Sequence, residues 1–548
     1  MSPFRSIYQQ DTTRQLVVGA ALLVLTAFYS PVFVLSLAPV YGSTPSHIFH
    51  GYGVAIAGAA GWFAKDHIHR LSGRRAVYLL PVIAFWIPSF QSFLLHQSSS
   101  FGNPVGPVIT EVLALYPLVL LSVACAGKLV QSGLDLSRHG EIAAEHVPLL
   151  TSYIVYSGGE YIAKAVIAKC LGTTFLFSRT GLQLLIAALY SAVIPSKILL
   201  LAIPSILFSF TSNVHLPLGR TTAALNSVIG EEGFTLVARQ DSNTGYISVL
   251  DNLDDGFRVM RCDHSLLGGQ WTKGRPNYTP PTVKDPIYAV FTMLEAVRLI
   301  EPEHVDANAK ALVIGLGIGT TPGALISHGI DTTIVEIDPV VHKFAGQYFG
   351  LPSNHTAVIE DARSFVHRSS ESTHPAQYDY IVHDVFTGGV EPIELFTYEF
   401  INSLSALLKD DGIIAINYAG DLALYPAALA VRTIQAVFPS CRLFREEAAS
   451  EVGPDFTNMV IFCKKTPNSP IQFRDAVPAD FLGSKFRATY LVPKHEMDPV
   501  RFESIEKGGR HVLHEKEAGR LHKYQDRGAL EHWAIMRKVL PDAVWENW

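Results

Sequence analysis

The sequence predicts a chain in two parts: a multi-span α-helical membrane region, followed by an α/β domain with a small β-meander in front of it. The chain has 548 residues, and no Asp, Glu, Lys or Arg occurs between residues 15 and 64. After residue 220, charged residues return at a density that is usual for a soluble domain. Beyond residue 286, strand-like and helix-like segments alternate, which is typical of a doubly wound parallel sheet.

Apolar stretches before residue 220 are candidates for membrane-spanning helices: residues 16–37, 48–64, 76–95, 104–126, 149–167 and 182–210. The first four are each close to the ~20 residues that cross a bilayer core as a helix. The fifth holds Glu160 and Lys164 at the i, i+4 spacing of a helical ion pair. We therefore expect about six spans in residues 1–219. An anchor is the simplest role, although ionisable residues such as Glu111 leave a transport path open.

The positive residues predict the orientation of this region. Arg5 and Arg14 precede the first stretch, and four Lys or Arg residues lie within residues 65–75. The loops 41–46 and 97–103 contain neither residue type. Because cytoplasmic loops carry the excess of Lys and Arg, we expect the N-terminus in the cytoplasm. An even number of spans then predicts that the following domain faces the cytosol.

Cysteine usage and net charge exclude two classes of site. The five cysteines are scattered and show no spacing typical of a disulfide framework or a metal site, which fits a reducing compartment. No metal is therefore predicted. The net charge of −6 gives no basic surface, so we expect no nucleic-acid partner.

The part after residue 219 divides into three. Residues 230–285 contain the segments FTLVARQ, TGYISVLDN and GFRVMRCD, which are separated by turn signals and predict the small β-meander. Residues 286–465 carry the alternating pattern of a Rossmann-like domain. Residues 466–548 form a charged, helical extension for which the sequence predicts no chemistry.

The segment ALVIGLGIGTTPGAL is the strongest functional signal in the chain. A buried strand runs directly into Gly315, Gly317 and Gly319, and a second strand ends in Glu336, 21 positions after Gly315. Glycines let the backbone pass close under a ligand, and an acid about 20 residues further on accepts hydrogen bonds from ribose hydroxyls. The pattern predicts a nucleoside-cofactor site. NAD fits less well, because the third glycine of its fingerprint would fall at Thr320.

Later blocks supply further candidates in the expected order. The third strand is followed by Asp361 and Ala362, which suit the adenine end of a nucleoside. The fourth strand ends at Asp384, the best catalytic candidate, as a general base or as an anchor for a substrate amine. The preceding His383 should point to the other face of the strand and be structural. Other residues are open between lining the pocket and packing: Asp263, His264, Trp271 and Tyr418.

Residues 230–465 resemble the spermidine/spermine synthase (polyamine aminopropyltransferase) superfamily. The shared features are the β-meander, the glycine loop, VEIDP, the ED pair that ends in Asp361, and YDYIVHD. With membrane spans in front, the chain looks like a group found in fungi. The resemblance implies a methyltransferase/spermidine-synthase fold and a homodimer. It also implies an acceptor, either a small molecule or a protein, with an amine or acid group. The lipid bilayer is the other expected partner.

Departures from that family bear on the reaction. Where the family reads GGGDGG, this chain has Ile318 in place of the Asp, and Thr387 stands where the second acid of DSSDP belongs. Asp285 and Tyr288 echo the family's DExxYHE segment, so Asp285, Tyr288 and Thr387 are the candidate substrate-binding residues. A diamine is a dication that must be bound and deprotonated, and the loss of two acids weakens both steps.

The chain also resembles spermidine-synthase-like methyltransferases through GLGIGTTP. We therefore predict a membrane-anchored transferase that moves a methyl group from S-adenosylmethionine. Aminopropyl transfer from decarboxylated S-adenosylmethionine is the first alternative. A catalytically inactive nucleoside-binding module on a membrane scaffold is the second.

Overall fold

In the computed structural model, residues 11–548 are described apart from 274–282, 374, 387–388, 449–454, 468, 504 and 506–510. The chain divides into two compact units. One comprises the residues up to Glu232 together with Arg537–Trp548, and the other is Gly233–Met536. The predicted boundary near residue 219 therefore falls close to the division, but the first unit also includes the C-terminus.

The first unit is helical. Its helices are α1 (Thr12–Tyr41), α2 (Ser43–His47), α3 (His50–Ser72), α4 (Leu80–Leu95), α5 (Ser98–Phe101), α6 (Val105–Thr110), α7 (Tyr116–Leu134), α8 (Glu141–Cys170), α9 (Arg179–Val193), α10 (Ile203–Thr211) and α11 (Gly219–Gly230). Among the described residues, three helical segments are long and apolar enough to span a membrane: Thr12–Tyr41, Arg75–Leu95 and Val105–Leu134. Two shorter apolar helices follow, Arg179–Val193 and Lys197–Thr211. The predicted Glu160–Lys164 ion pair is present, with 2.7 Å between the charged atoms.

One end of this helical unit gathers the two loops that lack Lys and Arg. Asn103 Nδ2 donates to the Tyr41 carbonyl at 2.7 Å. The segment that follows α10 lies close to the C-terminal segment, because the His215 ring is 2.9 Å from the Glu546 carbonyl oxygen. Ser98 Oγ in turn donates to Glu546 Oε1 at 2.6 Å. The exit of the chain and its C-terminal segment thus share an end with the loops 41–46 and 97–103.

The second unit begins with the predicted β-meander. It contains β1 (Phe234–Asp241), β2 (Tyr246–Asn252), β3 (Phe257–Cys262) and β4 (Ser265–Trp271), which pair antiparallel in that order. The fourth strand was not predicted, because its sequence SLLGGQW contains two glycines that weaken strand propensity.

An eight-stranded sheet follows, in the order β12–β10–β11–β9–β8–β5–β6–β7. Its strands are β5 (Lys310–Ile314), β6 (Asp331–Glu336), β7 (Thr356–Ile359), β8 (Tyr378–His383), β9 (Leu408–Asp421), β10 (Ser440–Arg445), β11 (Phe456–Lys464) and β12 (His495–Met497). Strands β5 to β9 pair parallel to one another, as expected for a doubly wound sheet. Strands β10, β11 and β12 pair antiparallel with their neighbours.

Helices cover both faces of this sheet and bury its apolar side chains in separate clusters. The helices after the meander are α12 (Ala289–Leu294), α13 (Thr320–Ser327), α14 (Pro339–Phe349), α15 (Ala362–Ser370), α16 (Tyr398–Leu407), α17 (Tyr425–Val437), α18 (Lys485–Tyr490), α19 (Val500–Glu503) and α20 (His522–Val539). The last helix, α21 (Asp542–Glu546), belongs to the first unit, where it contacts α1 and α11. Because parallel strands begin at one edge of the sheet, the ends of β5, β6, β8 and β9 meet at the other, where ligands bind in such folds.

The cysteine prediction was wrong at one pair. Cys441 and Cys463 lie directly opposite each other on β10 and β11 and form a disulfide. They are 22 residues apart in sequence, and their pairing becomes visible only when the register of the two strands is known. Disulfides persist in oxidising compartments and are rare in the cytosol, so this bond weighs against a reducing environment for the second unit.

Candidate active site

The glycine loop between β5 and α13 passes closely between other backbone segments. Gly315, Gly317 and Gly319 all have positive φ angles, of 87°, 54° and 86°. A Cβ atom at Gly315 would lie 2.1 Å from the Asp384 carbonyl oxygen, and one at Gly317 would lie 2.5 Å from the Leu267 carbonyl oxygen. Only glycine fits here, and the start of α13 lines a small pocket together with this loop and Asp384.

Glu336 ends β6 and supports this loop. Its carboxylate accepts hydrogen bonds from the backbone N–H groups of Leu316, at 3.0 Å, and Asp338, at 2.8 Å. Burial raises the pKa of Glu336 to about 7, although these N–H groups oppose the rise. The remaining lone pairs of the carboxylate suit ribose hydroxyls, and the predicted ribose contact stays a prediction.

Asp361 and Ala362 follow β7, the edge strand of the sheet. One carboxylate oxygen of Asp361 accepts from the backbone N–H of Ser364 at 3.2 Å, so this residue caps α15. Ala362, which is buried, begins that helix. The cap uses one of the two oxygens, and the predicted contact with an adenine stays a prediction.

Asp384 lies directly after β8, next to the glycine loop. Its N–H donates to the Ile314 carbonyl, and its Oδ1 accepts from Asn417 Nδ2, both at 2.9 Å. Burial raises the pKa of Asp384 to about 6, and the hydrogen bond from Asn417 opposes the rise. The carboxylate is thus a base poised near neutral pH. Asn417 Oδ1 is buried and lacks a hydrogen-bond partner among the residues that the structure describes.

Asn417 and Glu391 were missed from the sequence. Glu391 is only 8% exposed, and one of its carboxylate oxygens accepts from the Ala419 N–H. Burial raises the pKa of Glu391 well above its usual value, and the charge of Asp384 adds to this. Asn417 follows Ile416, which pairs with His383 of β8, so it lies beside Asp384 within β9. A polar residue in an apolar strand is a signal that the sequence did contain. Glu391 lies in a loop and carried no such signal.

The C-terminal extension, for which the sequence predicted no chemistry, also packs against the site. From α20, the His532 ring lies 5.2 Å from the ring of Phe386, and Trp533 stacks on His264 at 5.8 Å. Burial lowers the pKa of His532 to about 4, which keeps it neutral at physiological pH. The His264 ring thus packs on a helix that is far away in sequence, and its role at the substrate entrance stays a prediction.

Asp263 and Trp271, whose roles the sequence left open, make contacts within the meander. Asp263 has φ 46° and accepts the Tyr246 N–H at 2.9 Å, so it forms a turn. Trp271 packs edge-on against Phe257 at 5.9 Å. His383 is fully buried against two phenylalanines, as predicted.

Two of the three predicted substrate-binding residues, Asp285 and Tyr288, have described contacts with residues other than Asp384. Asp285 accepts a hydrogen bond from Ser484 Oγ and lies 4.0 Å from the buried Arg487. The Tyr288 ring packs against Phe291 at 6.2 Å, just before α12. Thr387 falls outside the described residues. Within the described part of the chain, no group of three or more His, Cys, Asp or Glu side chains is placed to hold a metal ion.

This fold and this strand-end site define a group transferase of the spermidine-synthase type, and comparisons with known proteins agree. Residues 295–444 match the spermine/spermidine synthase domain family. The chain is 71% identical to an N-terminal histidine N-methyltransferase of Emericella nidulans, over 100% of both chains. It therefore belongs to the family of that methyltransferase, within the spermidine/spermine synthase superfamily, and it is an enzyme that uses S-adenosylmethionine for methyl transfer.

More distant similarities cover the second unit in part. A polyamine aminopropyltransferase of Vibrio vulnificus is 35% identical over 27% of this chain and 49% of that protein. A probable spermidine synthase structure from Corynebacterium glutamicum matches 51% of this chain and 96% of that one, with 16% identity and a TM-score of 0.39. The predicted superfamily, enzyme class and cofactor are confirmed, and the inactive-module alternative is excluded.

The residues present fit S-adenosylmethionine. The glycine loop and the start of α13 line a small pocket together with Asp384, and Glu336 holds this loop through the Leu316 N–H. Ile318, at 6% exposure, makes the loop apolar at the position where the superfamily places an acid.

Proposed function

We propose that this enzyme methylates a nitrogen of an N-terminal histidine on a polypeptide, from a domain that is anchored in a membrane. The observation that carries the proposal is the Asp384–Asn417 pair beside the glycine loop, in a chain that shares 71% of its residues with a histidine methyltransferase. The acceptor polypeptide and the lipid bilayer are its proposed partners, and the homodimer stays a prediction.

The chemistry favours the imidazole as the nucleophile. With an ordinary pKa of about 6.5, the ring is largely neutral at pH 7 and offers a lone pair, whereas an α-amine of pKa about 7.7–8.0 is largely protonated. S-adenosylmethionine, when bound, supplies a methyl group that its sulfonium activates. As the new N–CH₃ bond forms and the S–CH₃ bond breaks, the ring becomes cationic, and Asp384 accepts the proton from its N–H. Asn417 holds the carboxylate in position for that transfer.

Aminopropyl transfer is the competing reaction. It would leave methylthioadenosine as the product, whereas methyl transfer leaves S-adenosylhomocysteine. The purified full-length chain, in detergent or nanodiscs, should be incubated with S-adenosylmethionine and a peptide that begins with histidine. We expect one added methyl group by mass spectrometry, together with S-adenosylhomocysteine. Transfer to diamines from the decarboxylated cofactor, without peptide methylation, would refute the proposal.

We further propose that the catalytic domain faces away from the cytosol, which reverses the sequence-based expectation. The chain leaves the helical unit at the end that holds the loops 41–46 and 97–103, which lack Lys and Arg and are thus expected outside the cytoplasm. In the described part of the chain, seven helical segments of at least 15 residues precede this exit, and an odd number of spans leads to the side opposite the N-terminus. The Cys441–Cys463 disulfide supports the same side.

Protease protection in sealed microsomes tests this orientation. A tag after Trp548 should resist protease until detergent is added, whereas a tag before residue 11 should be removed at once. Removal of both tags from intact vesicles would show instead that the catalytic domain faces the cytosol.

A further inference from the structure

A cavity of about 60 Å³ lies between residues 389–396, the end of β9 and α20, and its lining residue Glu391 is close enough to Asp384 to be influenced by its charge. This volume holds several water-sized groups, since one water needs roughly 10–15 Å³. Aromatic rings and two carboxylates line it: Phe396, Tyr418, Phe456, Tyr524, Glu391 and Asp421. No Lys or Arg is present among its described lining residues. The cavity therefore suits a small cation.

Glu391 is fixed so that one carboxylate oxygen remains available. Its Oε1 accepts the Ala419 N–H, and its own carbonyl oxygen accepts Gln525 Nε2 from α20 at 3.0 Å. Its Oε2 is buried and has no hydrogen-bond partner within the described part of the chain. A buried carboxylate without a cation is costly, which is why the pKa of Glu391 is raised, and a bound ammonium group relieves that cost and favours the charged form.

Asp421 adds to the negative potential of the cavity. Its Oδ1 accepts the Ala423 N–H at 3.0 Å, and the guanidinium of Arg527 lies 3.9 Å from its Oδ2. Arg527 is on the solvent side, with its side chain 55% exposed, so it neutralises Asp421 only in part.

We propose that Glu391 binds the α-ammonium group of the acceptor and thereby restricts methylation to a free N-terminus. This inference rests on the proposed function, because it assigns one acid to each basic group of an N-terminal histidine. Asp384 faces the ring nitrogen, and Glu391 holds the ammonium group on the same residue. An internal histidine has the ring but no ammonium group, so it leaves Glu391 unpaired and binds weakly.

Three peptides of one sequence test the inference with the full-length enzyme. The first begins with histidine, the second is its N-acetyl form, and the third begins with imidazolepropionyl, which lacks the amine. Loss of one charge-assisted contact should lower kcat/KM by about 10- to 150-fold for the second and third peptides. Glu391→Gln keeps an oxygen for the Ala419 N–H and should lower kcat/KM for the first peptide by a similar factor, mainly through KM.

The matched control is Glu394→Gln, in the same loop but outside the cavity, which should behave as wild type. Binding of S-adenosylhomocysteine to both variants, measured by calorimetry, reports whether they are folded. With Glu391→Gln, the three peptides should become nearly equivalent. Should that variant fail to fold, the wild-type peptide series decides alone.

Two outcomes would overturn the inference and leave the proposed function intact. One is equal methylation of the amine-free peptide by wild type, and the other is undiminished discrimination by a folded Glu391→Gln variant. If wild type binds S-adenosylhomocysteine but methylates none of the three peptides, the proposed function itself fails, and the inference fails with it.

Discussion

Replacing Asp384 with asparagine removes the proposed base with little change of shape. The new side-chain amide still offers an oxygen to Asn417 Nδ2, which in wild type lies 2.9 Å from Asp384 Oδ1. The backbone N–H at this position continues to donate to the Ile314 carbonyl. We therefore expect Asp384→Asn to fold, and to bind S-adenosylmethionine within a few-fold of wild type.

The rate should fall much further than the affinity. General-base catalysis by a positioned side chain contributes ~10²- to 10⁴-fold, equivalent to about 3–5 kcal/mol of transition-state stabilisation. The assay is methyl transfer to a histidine-first peptide under saturating cofactor. Because the pKa of Asp384 is raised to about 6, wild-type kcat/KM should increase with pH through that value, and the variant should lose this step.

The raised pKa of Asp384 also predicts how the free energy of unfolding changes with pH. The pKa of the Asp384 carboxyl is higher in the folded state than its ordinary 3.8, so the folded state favours the protonated form. Wild type should lose unfolding free energy as the pH rises from about 4 to about 6, by at most about 3 kcal/mol, and the variant should lose less. An Asp384→Asn enzyme with full activity and an unchanged pH profile would refute the assignment of this residue as the base.

Three further predictions concern the cofactor loop and the disulfide. In Glu336→Gln, a side-chain NH₂ group faces one of the two backbone N–H donors, so the variant should be less stable by about 1–3 kcal/mol and should bind the cofactor more weakly. An unchanged dissociation constant by calorimetry together with an unchanged free energy of unfolding would contradict this. Ile318→Asp should narrow the preference for S-adenosylmethionine over its decarboxylated form, which is measured by titrating each cofactor into wild type and variant. An unchanged ratio of the two dissociation constants would mean that residue 318 does not determine this preference. Cys441→Ala should lower unfolding free energy by about 3 kcal/mol for a 22-residue loop, and reductant should have the same effect on wild type; insensitivity to both would mean that the bond contributes nothing.

The parts that the sequence predicted well depend on neighbours in the chain. The glycine loop is one continuous strand–turn–helix pattern, and Glu336 follows at a fixed distance in the next strand. Both are therefore readable without knowledge of the sheet order. Asp384 was found for the same reason, as the last residue of an apolar strand.

The missed residues depend on contacts between segments that are distant in sequence. Asn417 is 33 positions from Asp384, and the two meet only because β8 and β9 are adjacent in the sheet. His532 reaches the site through a helix more than 140 residues further on. Cys441 and Cys463 required the register of two antiparallel strands. The orientation stays a prediction, and it depends on the number of spans: the last apolar stretch, interpreted from the sequence as a single span of 182–210, contains two helical segments.

The distribution of acids explains how one fold can serve a different acceptor. The superfamily pattern places one acid in the cofactor loop and two on the catalytic strand end, which suits an amine on the cofactor and a dication as acceptor. This chain has Ile318 in the loop, where the side chain packs next to Gly268 and a charge would be buried without a partner. It retains Asp384 and has Glu391 in the cavity that we propose for the acceptor. An acceptor that offers one cation next to a neutral nucleophile matches that arrangement, and an N-terminal histidine has both on a single residue.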